Sequence, residues 1–214
     1  MEEIFNIVEI FYSIEGEGSF VGYPTVFVRL EGCNLRCEWC DTTYSYDGKT
    51  FKQLSLKKII EEIKKYRTKR VCITGGEPLL TKNVDTLIKA VVKEGYYLII
   101  ETNGTVFNNR VEEALKSVYP NFYLVVSPKP EVKYNINQSL LKYINEFKFV
   151  VDEYITLKDI LKYESLYKLK PLILQPERNK KEFIKKALKL QEELLKKDIE
   201  ARVIPQCQKF MGLM

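Results

Sequence analysis

Short apolar runs alternate with amphipathic segments along most of the chain. The runs are rich in Val, Ile, Leu, Tyr and Phe, which is typical of buried β-strands. They occupy residues 25–31, 71–74, 97–101, 123–127, 147–151, 171–175 and 202–204. Residues 7–13 form a further candidate strand that would suit an edge of the sheet.

The segments between these runs have the spacing of amphipathic helices. One apolar stripe covers residues 56–63, with Ser55 as a plausible N-cap. A second covers residues 84–92 and ends at Gly95. Both stripes predict a helix that packs one face against the sheet.

The longest helix is predicted over about residues 180–197. Its many lysines are expected to form a solvated face rather than a nucleic-acid site. Thr156 and Asp159, three residues apart, resemble a capping pair at the start of a shorter helix. The inward face of the longest helix is expected to consist of Ile184, Ala187, Leu188, Gln191 and Leu195.

Alternation of strands and helices predicts an α/β fold with a parallel sheet and right-handed crossovers. With about six to eight parallel strands, the sheet would form a full or partial parallel (β/α) barrel. The length of 214 residues, without a repeat or linker, suits a small single domain over residues 1–214. Ligands of such folds lie at the carboxyl ends of the strands, so functional residues are expected just after them.

Composition narrows the chemistry. The chain has no His, which excludes His-based nucleophile systems, His-ligated zinc and His acid–base catalysis. The net charge of +5 is too mild to argue for nucleic acid. No apolar run approaches the roughly 20 residues of a membrane span. The first residues lack the features of a signal peptide, so a cytoplasmic protein without a membrane partner is expected.

The cysteines provide the strongest chemical signal. Cys33, Cys37 and Cys40 form a C-x3-C-x2-C cluster on the loop 32–42, directly after the predicted strand 25–31. Three thiolates on one loop can hold three corners of a cubane iron–sulfur cluster and leave one iron open. A structural zinc site would need a fourth ligand, which could come only from Cys72 or Cys207, and redox or coincidental cysteines are a further alternative. Cys72 lies within an apolar strand and is expected to be a buried core residue.

Two further motifs follow the next strands. Residues 74–78 read Thr-Gly-Gly-Glu-Pro and residues 101–104 read Glu-Thr-Asn-Gly. Together with C-x3-C-x2-C, which has an aromatic residue before its last cysteine, they resemble the radical S-adenosylmethionine (SAM) superfamily. Each motif lies at the carboxyl end of a strand, as the fold requires.

Other segments narrow the resemblance to the 7-carboxy-7-deazaguanine synthase family. It extends over essentially the whole chain. The segments that carry it are 13–18, Gly22, 27–33, 40–42, 127–129, 175–176 and 202–209.

The resemblance implies a lyase reaction that converts 6-carboxy-5,6,7,8-tetrahydropterin to 7-carboxy-7-deazaguanine with loss of ammonia. The product is a precursor of deazapurines of the queuosine or archaeosine type. The implied cofactors are a 4Fe-4S cluster, SAM and Mg²⁺. The implied partners are an electron donor such as flavodoxin or ferredoxin and a second copy of the chain in a homodimer.

The resemblance also implies roles for individual residues. Cys33, Cys37 and Cys40 match the cluster ligands, and Thr42 matches the Mg²⁺ ligand. The residues expected to bind SAM are Trp39, Cys40, Asp41, Gly75, Gly76, Glu77, Thr102, Ser127, Pro128 and Lys129. Those expected to bind the substrate are Ile14, Glu15, Gly16, Glu17, Arg29, Thr74, Gln175 and Met214.

Some of these assignments have alternatives. Arg29, whose planar guanidinium suits the pterin carboxylate, could instead pair with Glu15 or Glu31. Glu77 could accept a hydrogen bond from the SAM ammonium or only stabilise its own loop.

The chain also departs from the family pattern. Glu15 stands where the family usually has Gln, and Gln208 stands where many relatives have His. The chain ends in Met214, where relatives often end in Pro. An ionised Glu15 would accept hydrogen bonds without donating any.

Two other functions compete with this reading. A radical SAM activase, which makes a glycyl radical on a partner protein, would share the cluster motifs but would not account for residues 15–18, Arg29 or residues 40–42. A non-enzymatic metal-binding module would predict zinc in place of iron.

Overall fold

The computed structural model describes residues 3–213, and within them nine strands form one sheet. The spatial order is β3-β1-β2-β4-β5-β6-β7-β8-β9. The strands are β1 (Ile4–Ile14), β2 (Pro24–Leu30), β3 (Lys52–Ser55), β4 (Arg70–Gly75), β5 (Tyr97–Thr102), β6 (Phe122–Val126), β7 (Glu146–Val151), β8 (Leu172–Pro176) and β9 (Arg202–Val203). No pairing joins β3 to β9 within the described residues, so the sheet forms a partial barrel.

Strand β2 and strands β4 to β9 run parallel to one another, which confirms the predicted α/β class. β1 differs from the prediction, because it pairs antiparallel with β2, with Ile14 opposite Pro24. The outermost strand on this side is β3, which also pairs antiparallel with β1 and was not predicted. β3 is short and largely exposed, so its sequence lacks an apolar run. The connection from β1 to β2 therefore begins at the amino-terminal end of the parallel strands, opposite their carboxyl ends.

The helices pack outside the sheet. They are α1 (Leu56–Ile63), α2 (Val84–Lys93), α3 (Asn109–Val118), α4 (Leu157–Ile160), α5 (Glu164–Tyr167), α6 (Lys181–Leu195) and α7 (Cys207–Phe210). Short 3₁₀ turns cover Gly18–Phe20, Thr43–Tyr46, Pro78–Leu80, Pro130–Val132, Gln138–Tyr143, Leu161–Tyr163 and Glu177–Asn179. The Ser55 side chain caps α1, and Thr156 and Asp159 form a reciprocal capping box on α4, both as predicted.

The inward face of α6 differs in part from the prediction. Ala187 is buried, but Leu188 and Leu195 are exposed, and the buried leucines are Leu190 and Leu194. Apolar residues occupy a wide arc of this helix, so packing against β8 and β9 selects the buried row.

A small apolar layer fills the inner face of the barrel. Phe27, Cys72, Ile99 and Val125 pack together there, and Phe20 from the β1–β2 connection packs against them. Cys72 is fully buried, which confirms it as a core residue. A larger core lies between the outer face of the sheet and the helices.

The segment 15–23 lies against elements from the far side of the sheet. The Ser19 amide donates to Glu146 Oε2 on β7 at 3.0 Å, and the Arg202 guanidinium on β9 donates to Ser19 Oγ at 3.1 Å. The Phe20 ring packs edge-on against Tyr123 on β6 at 4.8 Å. This segment thus bridges the two sides of the partial barrel. No helix within residues 3–213 has the length and apolar character needed to cross a membrane.

Candidate active site

An open cavity of about 930 Å3, part of it continuous with solvent, lies at the carboxyl ends of the parallel strands. It brings together most of the residues predicted from the motifs. From the cluster loop come Cys33, Cys37, Trp39, Cys40, Asp41 and Thr42. From the strand ends and the β1–β2 connection come Glu17, Thr74, Gly75, Gly76, Thr102, Ser127, Lys129 and Gln175.

The three cysteines of the loop share one wall of this cavity, and each is partly buried. The Gly32 amide donates to the Ser45 carbonyl at 2.8 Å, which closes the loop on itself. Burial raises the pKa of the Cys37 thiol to about 12, and its Sγ donates to Glu131 Oε2 at 3.1 Å. The three thiols line one open volume, and a cluster held by three protein ligands keeps one iron free for a second ligand.

The glycines after β4 have a packing role that the sequence reasoning did not identify. A Cβ on Gly75 would lie 2.3 Å from the Leu30 carbonyl oxygen, and one on Gly76 would lie 2.2 Å from the Gly32 carbonyl oxygen. Gly75 also has φ of +148°, a backbone conformation that L side chains rarely adopt. The missing side chains thus let β4 approach the start of the cluster loop, in addition to leaving the backbone open to the cavity.

Glu77 lies outside the cavity lining and is fully buried. Its carboxylate accepts hydrogen bonds from Thr102 Oγ1 at 2.6 Å, the Asn103 amide at 2.7 Å and the Leu79 amide at 3.0 Å. Burial raises the pKa of Glu77 to about 7, although these hydrogen bonds lower it. In this structure the side chain joins the Gly-Gly-Glu-Pro turn to the Glu-Thr-Asn-Gly turn, which is the second of its two proposed roles.

Trp39, in the cluster loop, is anchored by the carboxyl end of β7. Its indole Nε1–H donates to Asp152 Oδ2 at 2.7 Å, and the Asp152 side chain is almost completely buried. The Lys129 ammonium lies 4.9 Å from the centre of the indole ring and donates to Ser127 Oγ at 2.8 Å. These contacts fix the aromatic residue that separates Cys37 from Cys40.

The floor of the cavity holds a buried ion cluster. Lys148 Nζ donates to Glu17 Oε2 at 2.5 Å and to Glu101 Oε1 at 2.6 Å, and Glu101 Oε2 accepts from Thr74 Oγ1 at 3.2 Å. Burial alone would raise the pKa of Glu17, but the Lys148 ammonium lowers it to about 2. Burial would lower the pKa of Lys148, and the two carboxylates raise it well above its usual value. The Lys148 ammonium therefore lies between the acidic side chains of Glu17 and Glu101.

The residues after β9 close this floor from the other side. Gln206 Nε2 donates to Glu17 Oε1 at 2.9 Å and to Asp41 Oδ2 at 3.1 Å, while Gln208 Nε2 donates to Glu17 Oε1 at 3.0 Å. Lys209 Nζ lies 3.1 Å from Asp41 Oδ2. The segment that carries Gln208 in place of the family His thus contacts both the floor and the cluster loop.

Glu15 is buried beside the same floor. Burial, followed by the nearby Glu101 carboxylate, raises the pKa of Glu15 well above its usual range. A protonated carboxyl has one O–H donor and keeps acceptor capacity, as the amide of Gln does. Glu15 Oε1 accepts from the Glu17 amide at 3.3 Å, and the expectation that an ionised Glu15 only accepts hydrogen bonds stays a prediction.

Arg29 lies apart from the cavity lining. Its Nε–H donates to Glu9 Oε1 on β1 at 2.7 Å, so its partner is neither Glu15 nor Glu31. The antiparallel pairing of β1 with β2, which places Glu9 opposite Arg29, produces this contact. A role for Arg29 toward a substrate carboxylate remains a prediction.

Other predicted residues lie at the margins of the site. Ile14 ends β1 and Pro128 is buried, and neither lines the cavity. Gly16 also lies outside the lining and packs against Gln208, where a Cβ on Gly16 would lie 2.0 Å from Gln208 Oε1. Met214 lies outside the described residues.

Sequence reasoning missed Lys148, Glu101, Gln206 and Asp152. Lys148 did give a signal, because it interrupts the apolar run 147–151 of a strand that is buried on both faces. A charged residue at such a position needs a buried partner. Glu101 opens the motif 101–104 and Gln206 lies in the segment 202–209, but neither was given a site role, and Asp152 follows an apolar run without a distinguishing pattern.

Comparisons with known proteins identify related sequences and a related fold. The sequence model of the Radical SAM superfamily matches residues 27–128. The crystal structure of QueE from Escherichia coli superposes with a TM-score of 0.73 and 25% identity, over 94% of this chain and 93% of that one.

Curated relatives identify a narrower family. The 7-carboxy-7-deazaguanine synthase of Haemophilus influenzae is 38% identical over 71% of this chain and 65% of its own length. That of Aquifex aeolicus is 42% identical over 96% of this chain and 92% of its own length. Since the alignment with the Aquifex protein spans nearly all of both sequences, this chain belongs to the 7-carboxy-7-deazaguanine synthase family of the radical SAM superfamily.

Proposed function

We propose that the protein converts 6-carboxy-5,6,7,8-tetrahydropterin to 7-carboxy-7-deazaguanine, with loss of ammonia, in the biosynthesis of queuosine- or archaeosine-type deazapurines. The observation that carries the proposal is that one cavity joins the cysteine wall to the polar floor of Glu17, Glu101 and Lys148. Membership of the synthase family supports the substrate, and the floor supplies acceptors for its N–H groups.

The cysteine wall is the proposed site of the 4Fe-4S cluster, with Cys33, Cys37 and Cys40 as ligands. When bound, the cluster and SAM would supply the radical chemistry that removes a hydrogen atom from the substrate, with the electron coming from the electron donor. The chain positions these groups: Trp39 and Asp41 extend from the cluster loop into the cavity, while Gly76 and Lys129 line it from the strand ends.

Substrate residues are proposed to act mainly by orientation. Glu17, Thr74 and Gln175 line the cavity, and the buried Gln175 Oε1 has no hydrogen-bond partner within residues 3–213. A buried polar atom without a partner is costly, so a ligand donor is expected at Gln175.

Thr42 is the proposed Mg²⁺ ligand. Its Oγ1 lies at the cavity wall, 3.4 Å from Asp41 Oδ1. Because Mg²⁺ prefers a full shell of oxygen ligands, oxygens of the substrate and water would complete the site.

The wider setting is also part of the proposal. We expect an electron donor such as flavodoxin or ferredoxin, a homodimer, a single domain over residues 1–214 and a cytoplasmic location. Nucleic acid and membrane are not expected as partners.

The test is anaerobic reconstitution followed by incubation with SAM, a reductant and the carboxypterin. The expected result is about four iron atoms per chain and formation of the deazaguanine product. Cys33→Ala should abolish both the cluster and SAM cleavage, whereas Cys72→Ala is the matched control, because Cys72 belongs to the buried core. SAM cleavage without any deazaguanine would contradict the assignment of the substrate.

The same assay separates the competing functions. An activase would need a partner protein and would leave the pterin unchanged. A non-enzymatic metal-binding module would retain stoichiometric zinc after reconstitution and would not cleave SAM.

A further inference from the structure

One ammonium lies between two carboxylates at the floor of the cavity. The Lys148 side chain is only 7% exposed, and Glu17 and Glu101 line the same cavity beside it. An ammonium can be held away from water at such a position only when opposite charges and hydrogen bonds compensate it. The motifs do not predict Lys148, and the proposed function includes it in the floor without assigning it a role of its own.

Both carboxylates keep acceptor capacity that the protein does not use. A carboxylate has about four acceptor positions. Within the described residues, Glu17 accepts from Lys148, Gln206 and Gln208, and Glu101 accepts from Lys148 and Thr74. The Glu101 side chain is 24% exposed and that of Glu17 is 16% exposed, so a ligand in the cavity can reach both.

We infer that Lys148 is a positioning residue for the substrate: its ammonium holds the Glu17 and Glu101 carboxylates in place and ionised, so that they accept hydrogen bonds from the amino and ring N–H groups of the pterin. The inference rests on the proposed function, since it assigns these acceptors to the pterin. Lys148 itself need not touch the substrate.

The balance of charge supports this role. Without Lys148, the floor would hold Glu15, Glu17 and Glu101 as neighbouring carboxyl groups, and like charges in a buried site favour protonation. A protonated carboxyl loses acceptor capacity and gains an O–H donor. This donor cannot form a hydrogen bond with the N–H groups of the ligand. The other titratable or charged groups that act on this cluster are Glu15 from the β1–β2 connection, Arg29 from β2, Cys72 from β4 and Glu146 from β7.

The test uses Lys148→Met, which keeps an unbranched side chain of similar length and removes its charge, and Lys148→Arg, which keeps the charge. KM and kcat for the carboxypterin are measured from pH 6 to pH 8 in the reconstituted enzymes. In Lys148→Met, KM should rise about tenfold or more at pH 7 and rise further as the pH falls, because Glu17 then takes up a proton. In the wild type, KM should not follow this pH dependence. In Lys148→Arg, the increase in KM should be smaller than in Lys148→Met.

SAM cleavage without pterin provides the internal control. SAM cleavage should survive in Lys148→Met, because the substitution leaves the cysteine wall unchanged. If Lys148 only supports the fold, SAM cleavage and kcat should fall in the same proportion in the variant, with KM unchanged at every pH, and that result would overturn the inference.

A second readout is independent of the substrate. In Lys148→Met the folded-state pKa of Glu17 should lie above its unfolded value, because burial raises it and the ammonium that lowers it is gone, so the melting temperature should fall relative to wild type as the pH rises from 5 to 8. The double variant Glu17→Gln/Lys148→Met should remove part of that fall. A melting temperature that tracks the wild type at every pH would show that Lys148 does not hold the two carboxylates ionised.

The outcomes also separate the two proposals. If wild-type enzyme cleaves SAM but leaves the carboxypterin unchanged, the proposed function fails, and with it the ligand assigned to these acceptors. If wild-type enzyme turns the pterin over and Lys148→Met has an unchanged KM, only the inference about Lys148 fails.

Discussion

The hydrogen bond between Asp152 and Trp39 leads to a prediction that can be tested by tryptophan fluorescence. Asp152 uses both carboxylate oxygens: Oδ2 accepts from the Trp39 indole, and Oδ1 accepts from the Tyr154 and Ile155 amides at 3.0 and 2.9 Å. Asp152→Asn keeps the shape but offers one acceptor oxygen instead of two. We expect the variant to keep the two backbone contacts and to lose the hydrogen bond to the indole.

The magnitude follows from the environment of the indole. Hydrogen bonds to charged groups contribute about 1.5–3 kcal/mol, but Trp39 is only half-buried and its N–H can turn to water, so a loss of about 1–2 kcal/mol is expected. At about 1.4 kcal/mol for each factor of ten, the equilibrium between anchored and released indole shifts roughly 5- to 30-fold. The cluster loop should then bind SAM more weakly.

The assay is acrylamide quenching of tryptophan fluorescence in the anaerobic protein without its cluster. Trp39 is the only tryptophan of the chain, so the signal reports this site alone. Quenching should increase in Asp152→Asn, and the affinity of the reconstituted variant for SAM should fall. The control is a double-mutant cycle with Trp39→Phe, in which Asp152→Asn should have little further effect on SAM binding. Equal quenching in wild type and Asp152→Asn would refute the reasoning.

Further predictions concern the cluster loop and β2. Thr42→Val should weaken the response of turnover to added Mg²⁺ without changing the cluster spectrum, and an unchanged response would exclude Thr42 as a ligand. Gly76→Ala should lower the iron content after reconstitution, because the new Cβ would meet the Gly32 carbonyl oxygen at 2.2 Å, and a wild-type iron content would contradict this packing argument. Arg29→Ala should lower kcat/KM for the pterin roughly 30-fold or more and spare substrate-free release of 5′-deoxyadenosine. Equal loss of both activities would mean that the ion pair with Glu9 only supports the fold.

The parallel strands were readable because they are buried on both faces and appear as continuous apolar runs. The direction of β1 was not readable, since an apolar run has the same composition in either direction. β3 was not predicted, because its residues are exposed or half-buried and include Lys52 and Gln53. On α6, several apolar rows compete, and only packing against the sheet decides that Leu190 and Leu194 are buried.

The residues of the site likewise fall into those that the sequence could predict and those that it could not. Residues within contiguous motifs, such as Cys33, Gly76 and Ser127, could be predicted because one segment positions each group. Lys148 and Gln206 could not, because their chemistry depends on partners far away in sequence. The raised pKa of Glu15 is likewise a consequence of its burial and of the neighbouring Glu101 carboxylate, which the sequence alone does not reveal.

The hydrogen bonds that close the cavity floor have a consequence for protein synthesis. Glu17 accepts from Gln206 and Gln208, which are 189 and 191 positions further along the chain. The cluster cysteines and the strands β2 and β4 to β6 leave the ribosome well before Gln206 is made. Contacts of such high sequence separation form late in folding. A nascent chain can therefore present its cysteine wall before it can orient a pterin, so competence for the substrate is gained only after translation reaches the final segment.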